Sequence, residues 1–213
     1  MNKKLPLIIA LTIIIFSCKQ QVRDETIVYN NNFENNNLSG ITNGVLNQYN
    51  NTTVLGQYNN GNFSVLVNNL PKHDLITVTL DLYVHDSWDG DKQFPDGPDI
   101  WELQADGNTY ISATFSNDSC AGGFCSPQSY PFNYPSNYNN PKTGAYRTDL
   151  PGVCHFLGNP NGTTQYKIEK TFKHSSASLV LKCLDKLVQP NSPDPKCDES
   201  WSVDNISIKA ISL

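Results

Sequence analysis

The strongest constraint on the fold is a run of strictly alternating residues between positions 76 and 85. Apolar side chains occupy the even positions from Ile76 to Val84, and polar or aromatic side chains occupy the odd positions from Thr77 to His85. Successive side chains of a β-strand point to opposite faces, so this pattern predicts a long strand with one buried face.

Shorter alternating segments indicate that strands make up most of the chain. We predict them near residues 27–34, 52–58, 61–68, 99–105, 109–116, 165–174, 178–184 and 201–211. Turn residues separate them, including the hairpin signal Asp106-Gly107, and no stretch shows a convincing helical period. The sequence therefore predicts an all-β fold, a two-sheet β-sandwich of the jelly-roll type, as one domain over residues 27–213.

The composition is that of an exported β-rich domain and excludes several classes of protein. Charged residues make up 16% of the chain, below the ~25% of typical globular proteins. The formal net charge is −5, which argues against nucleic-acid binding through a basic patch. Beyond the N-terminus no apolar run exceeds a strand in length, which argues against a polytopic membrane protein.

The N-terminus has the features of an export signal. Two lysines precede an apolar stretch at residues 5–16, which is too short to span a bilayer. Ser17 followed by Cys18 resembles a bacterial lipobox, in which the cysteine is lipidated and becomes the first residue. We therefore predict a lipoprotein-type signal peptide at residues 1–17, with an ordinary signal peptide as the alternative.

Lipidation at Cys18 would display the mature protein on the outer membrane or cell surface, whereas ordinary cleavage would release it as a soluble secreted protein. Residues 18–26 would then form a short polar tether. Loss of residues 1–17 removes two lysines and changes the net charge from −5 to −7. Anionic lipid would not attract such a chain, so the lipid anchor alone would hold it at a membrane.

Export makes disulfide bonds possible. Five cysteines remain beyond the lipidation site, so at least one lacks an intramolecular partner. Cys183 and Cys197 flank a Pro-rich segment, and a bridge between them would close a loop of ~15 residues, worth roughly 3 kcal/mol in the chain-entropy model. We predict this pair first and Cys120–Cys125 second, which leaves Cys154 over.

Residues 117–164 form a long segment with little alternation. The segment is rich in Pro, Gly, Asn and Tyr, and structureless loops beyond ~12–15 residues are usually functional or disordered. Tyr130, Tyr134 and Tyr138 recur every four residues. They predict either an aromatic surface for a sugar ring or peptide, or an insertion that packs its rings over one end of the sandwich. Disorder is a third possibility.

Two acidic clusters, one after the long strand and one near the C-terminus, suggest a metal site. Their candidate ligands are Asp86, Asp89, Asp91, Asp99, Asp198 and Asp204. Asp204 alternates with Ile206 and Ile208, which predicts an inward carboxylate that must be paired or metal-bound. Carboxylate oxygens suit Ca²⁺, whereas Zn²⁺ would require His or Cys. We therefore predict a structural Ca²⁺ ion. Three alternatives stay open: the clusters lie at opposite ends of the domain, lysines and arginines neutralise them, or the first cluster is a solvated loop.

The closing segment carries a family resemblance. Residues 201–206 (WSVDNI) resemble the final strand of extracellular jelly rolls such as MAM and reelin-type repeats, and of galactose-binding-like domains. That resemblance implies acidic residues near this strand that help to hold a structural Ca²⁺. Residues 85–90 (HDSWDG) together with 198–201 (DESW) also resemble an unnamed module of secreted proteins, from which the added cysteines and the loop at 184–197 depart.

These observations predict a calcium-stabilised, non-catalytic binding module whose partner is a glycan or an extracellular protein. Trp88, in the acidic loop, joins the three tyrosines as a candidate ligand-binding residue. The alternative is a glycan-active enzyme, a glycoside hydrolase or lyase on the same fold. A retaining glycosidase needs two carboxyl groups ~5–5.5 Å apart, whereas Asp99 and Glu102 are three positions apart in a predicted strand and so point to opposite faces.

Overall fold

A computed structural model describes residues 21–120, 123, 125–136, 138–189 and 192–213. The predicted signal peptide and the lipidation site at Cys18 lie outside the described residues. The elements, in chain order, are β1 (Asp24–Asn31), β2 (Ile41–Thr42), β3 (Leu46–Tyr49), β4 (Thr52–Tyr58), β5 (Asn62–Asn68), β6 (Leu75–Asp86), β7 (Ile100–Ala105), β8 (Asn108–Thr114), β9 (Arg147–Leu150), β10 (Thr163–Lys173), β11 (Ser178–Lys186), α1 (Pro195–Asp198) and β12 (Glu199–Ser212).

The strands form two antiparallel sheets that face one another. One sheet has the order β3-β4-β12-β6-β10-β9, with β1 also paired to β12, and the other has the order β2-β5-β11-β7-β8. The predicted all-β sandwich is confirmed, and each predicted strand is found within three residues at either end. The short strands β2, β3 and β9 were not predicted because two to four residues carry too little alternation. The described residues include no helix long and apolar enough to cross a membrane.

The core lies between the sheets and is built from the inward positions of the long strands. The even positions of β6 from Ile76 to Val84 are buried there, as the alternation predicts. Trp101 of β7 and Trp201 of β12 meet across the sandwich in an edge-to-face contact, with ring centroids 6.1 Å apart. This contact joins the two sheets near the end where β6 finishes and β12 begins, because Trp201 pairs with Val84.

Strand β12 contains a bulge that decides where its carboxylate points. Asp204 pairs with Asp81 on the outer, polar face of β6, and the register then shifts while Asn205 takes a positive φ of 52°. Ile206 and Ile208 beyond the bulge are fully buried in the core. The prediction that Asp204 shares their face is therefore wrong, because the bulge inserts an extra residue and reverses the alternation.

The structure forms one of the two predicted disulfides and replaces the other. Cys120 is bonded to Cys125, as predicted. Cys154 is bonded to Cys197, and Cys183 is the free cysteine among the described residues. The predicted Cys183–Cys197 bridge is wrong because Cys183 occupies an inward position of β11 and is fully buried in the core.

The segment at 117–164 packs onto the sandwich through a buried glutamine. The side-chain oxygen of Gln128 accepts hydrogen bonds from the backbone of Ser116 (3.1 Å) and Lys142 (3.0 Å). Its amide donates to the carbonyls of Tyr130 (3.2 Å) and Thr143 (3.0 Å). One side chain thus ties the residue Ser116, just after β8, to both arms of the insertion, which places the insertion over one end of the sandwich.

Candidate functional site

Three loops at one end of the sandwich enclose a pocket of about 370 Å³. One loop follows β6, one follows β8 and one precedes β10. The residues that line the pocket include Ser87, Lys92, Asp118, Ser119, Phe156, Asn159 and Asn161. The pocket therefore combines several polar side chains with one partly exposed phenylalanine ring.

A buried asparagine holds these loops in position. The amide of Asn117 donates to the backbone carbonyls of Asp86 (2.7 Å) and Gly162 (2.9 Å), and its oxygen accepts from the hydroxyl of Thr164 (2.5 Å). Because Asn117 is almost fully buried and saturated in this way, it acts as a spacer between the ends of β6 and β10.

The charged groups of the pocket are already engaged with neighbours. Lys92 lies 3.0 Å from a carboxylate oxygen of Asp89 and 3.6 Å from one of Asp96. The two oxygens of Asp118 accept the backbone N–H groups of Cys120 (2.8 Å) and Ser126 (3.0 Å). These pairs shape the wall of the pocket and leave hydroxyl and amide groups as its available polar contacts.

The predicted ligand-binding aromatics do not share one exposed surface. Trp88 is fully buried and donates its indole N–H to the carbonyl of Ser200 (2.9 Å), and its ring also forms part of the lining of the pocket. Tyr130 stacks on the core residue Phe115, with centroids 4.7 Å apart. Tyr134 is partly buried, whereas Tyr138 is 77% exposed.

Of the predicted metal ligands, Asp86 is used to anchor a loop. Its fully buried carboxylate accepts the backbone N–H groups of Val153 (3.1 Å), Cys154 (3.2 Å) and Phe156 (2.9 Å). Burial raises the pKa of Asp86, and these three donors oppose the rise because they favour the charged form. Asp86 thereby fixes the segment that carries the pocket phenylalanine.

Asp198 and Asp91 also have protein partners. Asp198 accepts a hydrogen bond from the hydroxyl of Ser87 (2.8 Å) and lies 3.5 Å from the imidazole of His155. One oxygen of Asp91 accepts from the hydroxyl of Thr114, and the other has no partner among the described residues.

Two fully buried carboxyl groups lie beneath the pocket, on Asp99 and Glu199. One oxygen of Asp99 and both oxygens of Glu199 find no hydrogen-bond partner within the described part of the chain. Burial, and then the negative charge of Asp99, raises the pKa of Glu199, and the nearby amide of Gln189 offsets this only in part. Burial likewise raises the pKa of Asp99. Glu199 was not among the predicted metal ligands, although it lies two positions before the core residue Trp201 and therefore on the same face of the strand.

Asp204 lies apart from this pair, five residues further along β12. It accepts a hydrogen bond from the hydroxyl of Thr52 (3.3 Å), which also donates to Glu34 (2.5 Å). Burial raises the pKa of Asp204 to about 6. Over the described ranges, no three acidic, histidine or cysteine side chains converge closely enough to form a ready metal cage. The structure therefore does not bring the six predicted ligands together.

Comparison with known proteins gives structural neighbours only. No protein-family model matches the chain, and no curated protein sequence does. The crystal structure of dimeric latent PorU from Porphyromonas gingivalis aligns at 11% identity and a TM-score of 0.40, over 71% of this chain and 10% of PorU. A family 35 carbohydrate-binding module from Clostridium thermocellum aligns at 10% identity and a TM-score of 0.37, over 87% of this chain and 97% of the module.

A third neighbour is the CBM36-1 domain of a multidomain xylanase from the hindgut metagenome of Trinervitermes trinervoides. It aligns at 13% identity and a TM-score of 0.34, over 89% of this chain and 98% of the domain. At these identities and scores the alignments carry no argument about the ligand, and the assignment of a β-sandwich rests on the strands and sheets described above.

Proposed function

We propose that the protein is a non-catalytic β-sandwich that binds a glycan in the pocket at the loop end. The main support for this proposal is the pocket itself. Its volume of about 370 Å³ falls in the range of small-ligand sites, roughly 300–1,000 Å³. The exposed side chains of Ser119, Asn159 and Asn161 offer hydroxyl and amide groups around the ring of Phe156. A sugar presents the matching combination of hydroxyl groups and an apolar ring face. A concave site of this size suits a sugar better than the broad face of a protein partner.

The state of the pocket carboxylates supports binding rather than catalysis. Asp89 pairs with Lys92, and Asp118 is held by two backbone N–H groups. The carboxyl groups of Asp99 and Glu199 are fully buried and have no route to a bound sugar. A general acid must reach the proton it transfers within hydrogen-bond distance, and these groups lack that freedom.

We expect Phe156→Ala and Asn161→Ala to weaken glycan binding by about tenfold or more, which corresponds to roughly 1.4 kcal/mol. The physical reason is that each substitution removes a side chain that lines the pocket but lies outside the sheets. Affinity electrophoresis against soluble xylan, mannan, galactan and β-glucan, followed by calorimetry on the best binder, measures the effect.

Tyr138→Ala is the matched control, because this ring is well exposed and does not line the pocket. Unchanged melting temperatures would show that the pocket variants remain folded. The proposal fails if none of the polysaccharides is retained. It also fails if Tyr138→Ala abolishes retention while both pocket variants bind like wild type, which would favour the tyrosine surface instead.

Display at the cell surface through lipidated Cys18 belongs to the same proposal. The support is the apolar stretch at residues 5–16 followed by Ser17 and Cys18. Expressed in a bacterial host, the full chain should enter the detergent phase in Triton X-114 partitioning, and Cys18→Ala should stay in the aqueous phase. If both forms stay in the aqueous phase, the chain is not lipidated.

A further inference from the structure

We infer that Asp99 and Glu199 bind one calcium ion inside the sandwich, beneath the pocket. This inference goes beyond glycan binding, because the ion would stabilise the fold whether or not the pocket holds a sugar. Its site also differs from the predicted set of ligands, since it uses Glu199 and does not involve Asp86, Asp198 or Asp204.

The two carboxyl groups are placed by the tryptophans that join the sheets. Glu199 lies two residues before Trp201 in β12, and Asp99, the residue immediately before β7, lies two residues before Trp101. Side chains two residues apart in a strand share a face. Because the two tryptophans touch across the sandwich, the two carboxyl groups face the same interior region from opposite sheets.

Within the described part of the chain, this carboxyl pair is not neutralised by an ion pair. No lysine, arginine or histidine of the described chain forms an ion pair with Asp99 or Glu199. Two uncompensated carboxylates in such a place would repel one another and would also lose their hydration, a cost of several kcal/mol per charge. Something bound there must offset that cost.

The hydrogen-bond pattern leaves this pair open to an ion. Both oxygens of Glu199 and one oxygen of Asp99 have no well-aligned donor among the described residues, although the amide of Gln189 lies near Glu199. Buried carboxylate oxygens normally accept hydrogen bonds from the protein or from water. Three oxygens without such a donor offer unfilled ligands to a cation, and metal titration distinguishes a bound cation from a proton that the two groups share.

The donor chemistry selects calcium. Asp99 and Glu199 offer only oxygen, and Ca²⁺ accepts six to eight oxygen ligands in flexible geometry. Two carboxyl groups would supply part of that shell, and backbone carbonyls or water would supply the rest, since the described residues contain no converging group of three such ligands. Zn²⁺ would require nitrogen or sulfur, which neither residue provides.

Terbium luminescence tests the site directly, because Tb³⁺ replaces Ca²⁺ and is excited by energy transfer from nearby tryptophan. The chelated wild-type protein should bind one equivalent of Tb³⁺, with emission sensitised by Trp101 and Trp201 and lost on addition of Ca²⁺. Glu199→Gln and Asp99→Asn should each weaken Tb³⁺ and Ca²⁺ binding at least tenfold. Asp204→Asn, the matched control on the outer face of the same strand, should bind both ions like wild type.

Thermal melting separates loss of the ion from loss of the fold. Calcium at about 100 times its Kd should raise the wild-type melting temperature by roughly 5–11 °C and should leave Glu199→Gln unchanged. Without calcium, Glu199→Gln should melt no lower than wild type, because it removes a buried charge while keeping the shape. The inference is overturned if no ion binds the chelated protein, or if Asp204→Asn and not Glu199→Gln abolishes binding. All these measurements are made without glycan, so they succeed or fail independently of the proposed function.

Discussion

Removal of the Cys154–Cys197 disulfide is expected to lower the free energy of unfolding by about 4 kcal/mol. The bridge joins residues 43 positions apart, so its loss frees a long loop of the unfolded chain. In the folded state it also ties the segment after β9 to α1, just before Glu199. For a domain of this size the melting temperature should fall by about 8–16 °C. Thermal unfolding of a Cys154→Ser/Cys197→Ser variant provides the measurement.

A Cys120→Ser/Cys125→Ser variant is the matched control, because that bridge spans only five positions. The chain-entropy model then gives a loss of about 2 kcal/mol, half that of the long bridge. A peptide map of the unreduced protein should link Cys154 to Cys197. A map that links Cys183 to Cys197, or a long-bridge variant that melts above the control variant, would contradict the structure.

The correct bridge was partly visible in the sequence. Leu179, Leu181 and Cys183 alternate with more polar residues along β11, which is the pattern of an inward face. Burial of that face removes Cys183 from reach of any surface loop. The short spacing between Cys183 and Cys197 favoured the wrong pair. Loop-closure entropy is a property of the unfolded chain, so it contains no information about which face of a strand is buried.

The positions of the strands were predictable because one face of each long strand is buried. The face of β12 to which the side chain of Asp204 points was not predictable. Alternation predicted β6 and β12 almost to their ends. The bulge at Asn205 depends on a positive φ that the residue type permits but does not require. One inserted residue reversed the face of Asp204 relative to Ile206, and with it one half of the predicted metal site.

The other predicted acidic ligands contact partners that are distant in the sequence, which the local spacing of residues does not reveal. Asp86 accepts the backbone N–H of Phe156, 70 positions later in the chain. Asp99, just before β7, lies near enough to Glu199 in β12 for its charge to raise the pKa of that carboxyl group. The two acidic clusters predicted a shared metal site, but only the sheet topology decides which carboxyl groups lie near one another.

Asp86→Ala is expected to destabilise the protein by about 3–5 kcal/mol, because a buried donor left without its acceptor costs roughly 1–3 kcal/mol. The backbone N–H groups of Val153, Cys154 and Phe156 would all lose the carboxylate that they now share. Asp86 also has a positive φ of 65°, which alanine tolerates less well than aspartate or asparagine. Denaturant unfolding measures the loss.

Asp86→Asn and Asp149→Ala complete the comparison. Asparagine keeps one acceptor oxygen and tolerates the backbone conformation, so its cost should lie between those of wild type and Asp86→Ala. Asp149 is exposed and pairs with Arg147 at the surface, so its replacement should change stability by less than about 0.5 kcal/mol. Because Asp86 anchors the segment of Phe156, Asp86→Asn should also weaken glycan binding at temperatures where the protein stays folded. Equal stability of Asp86→Ala and Asp149→Ala would show that the loop does not depend on this carboxylate.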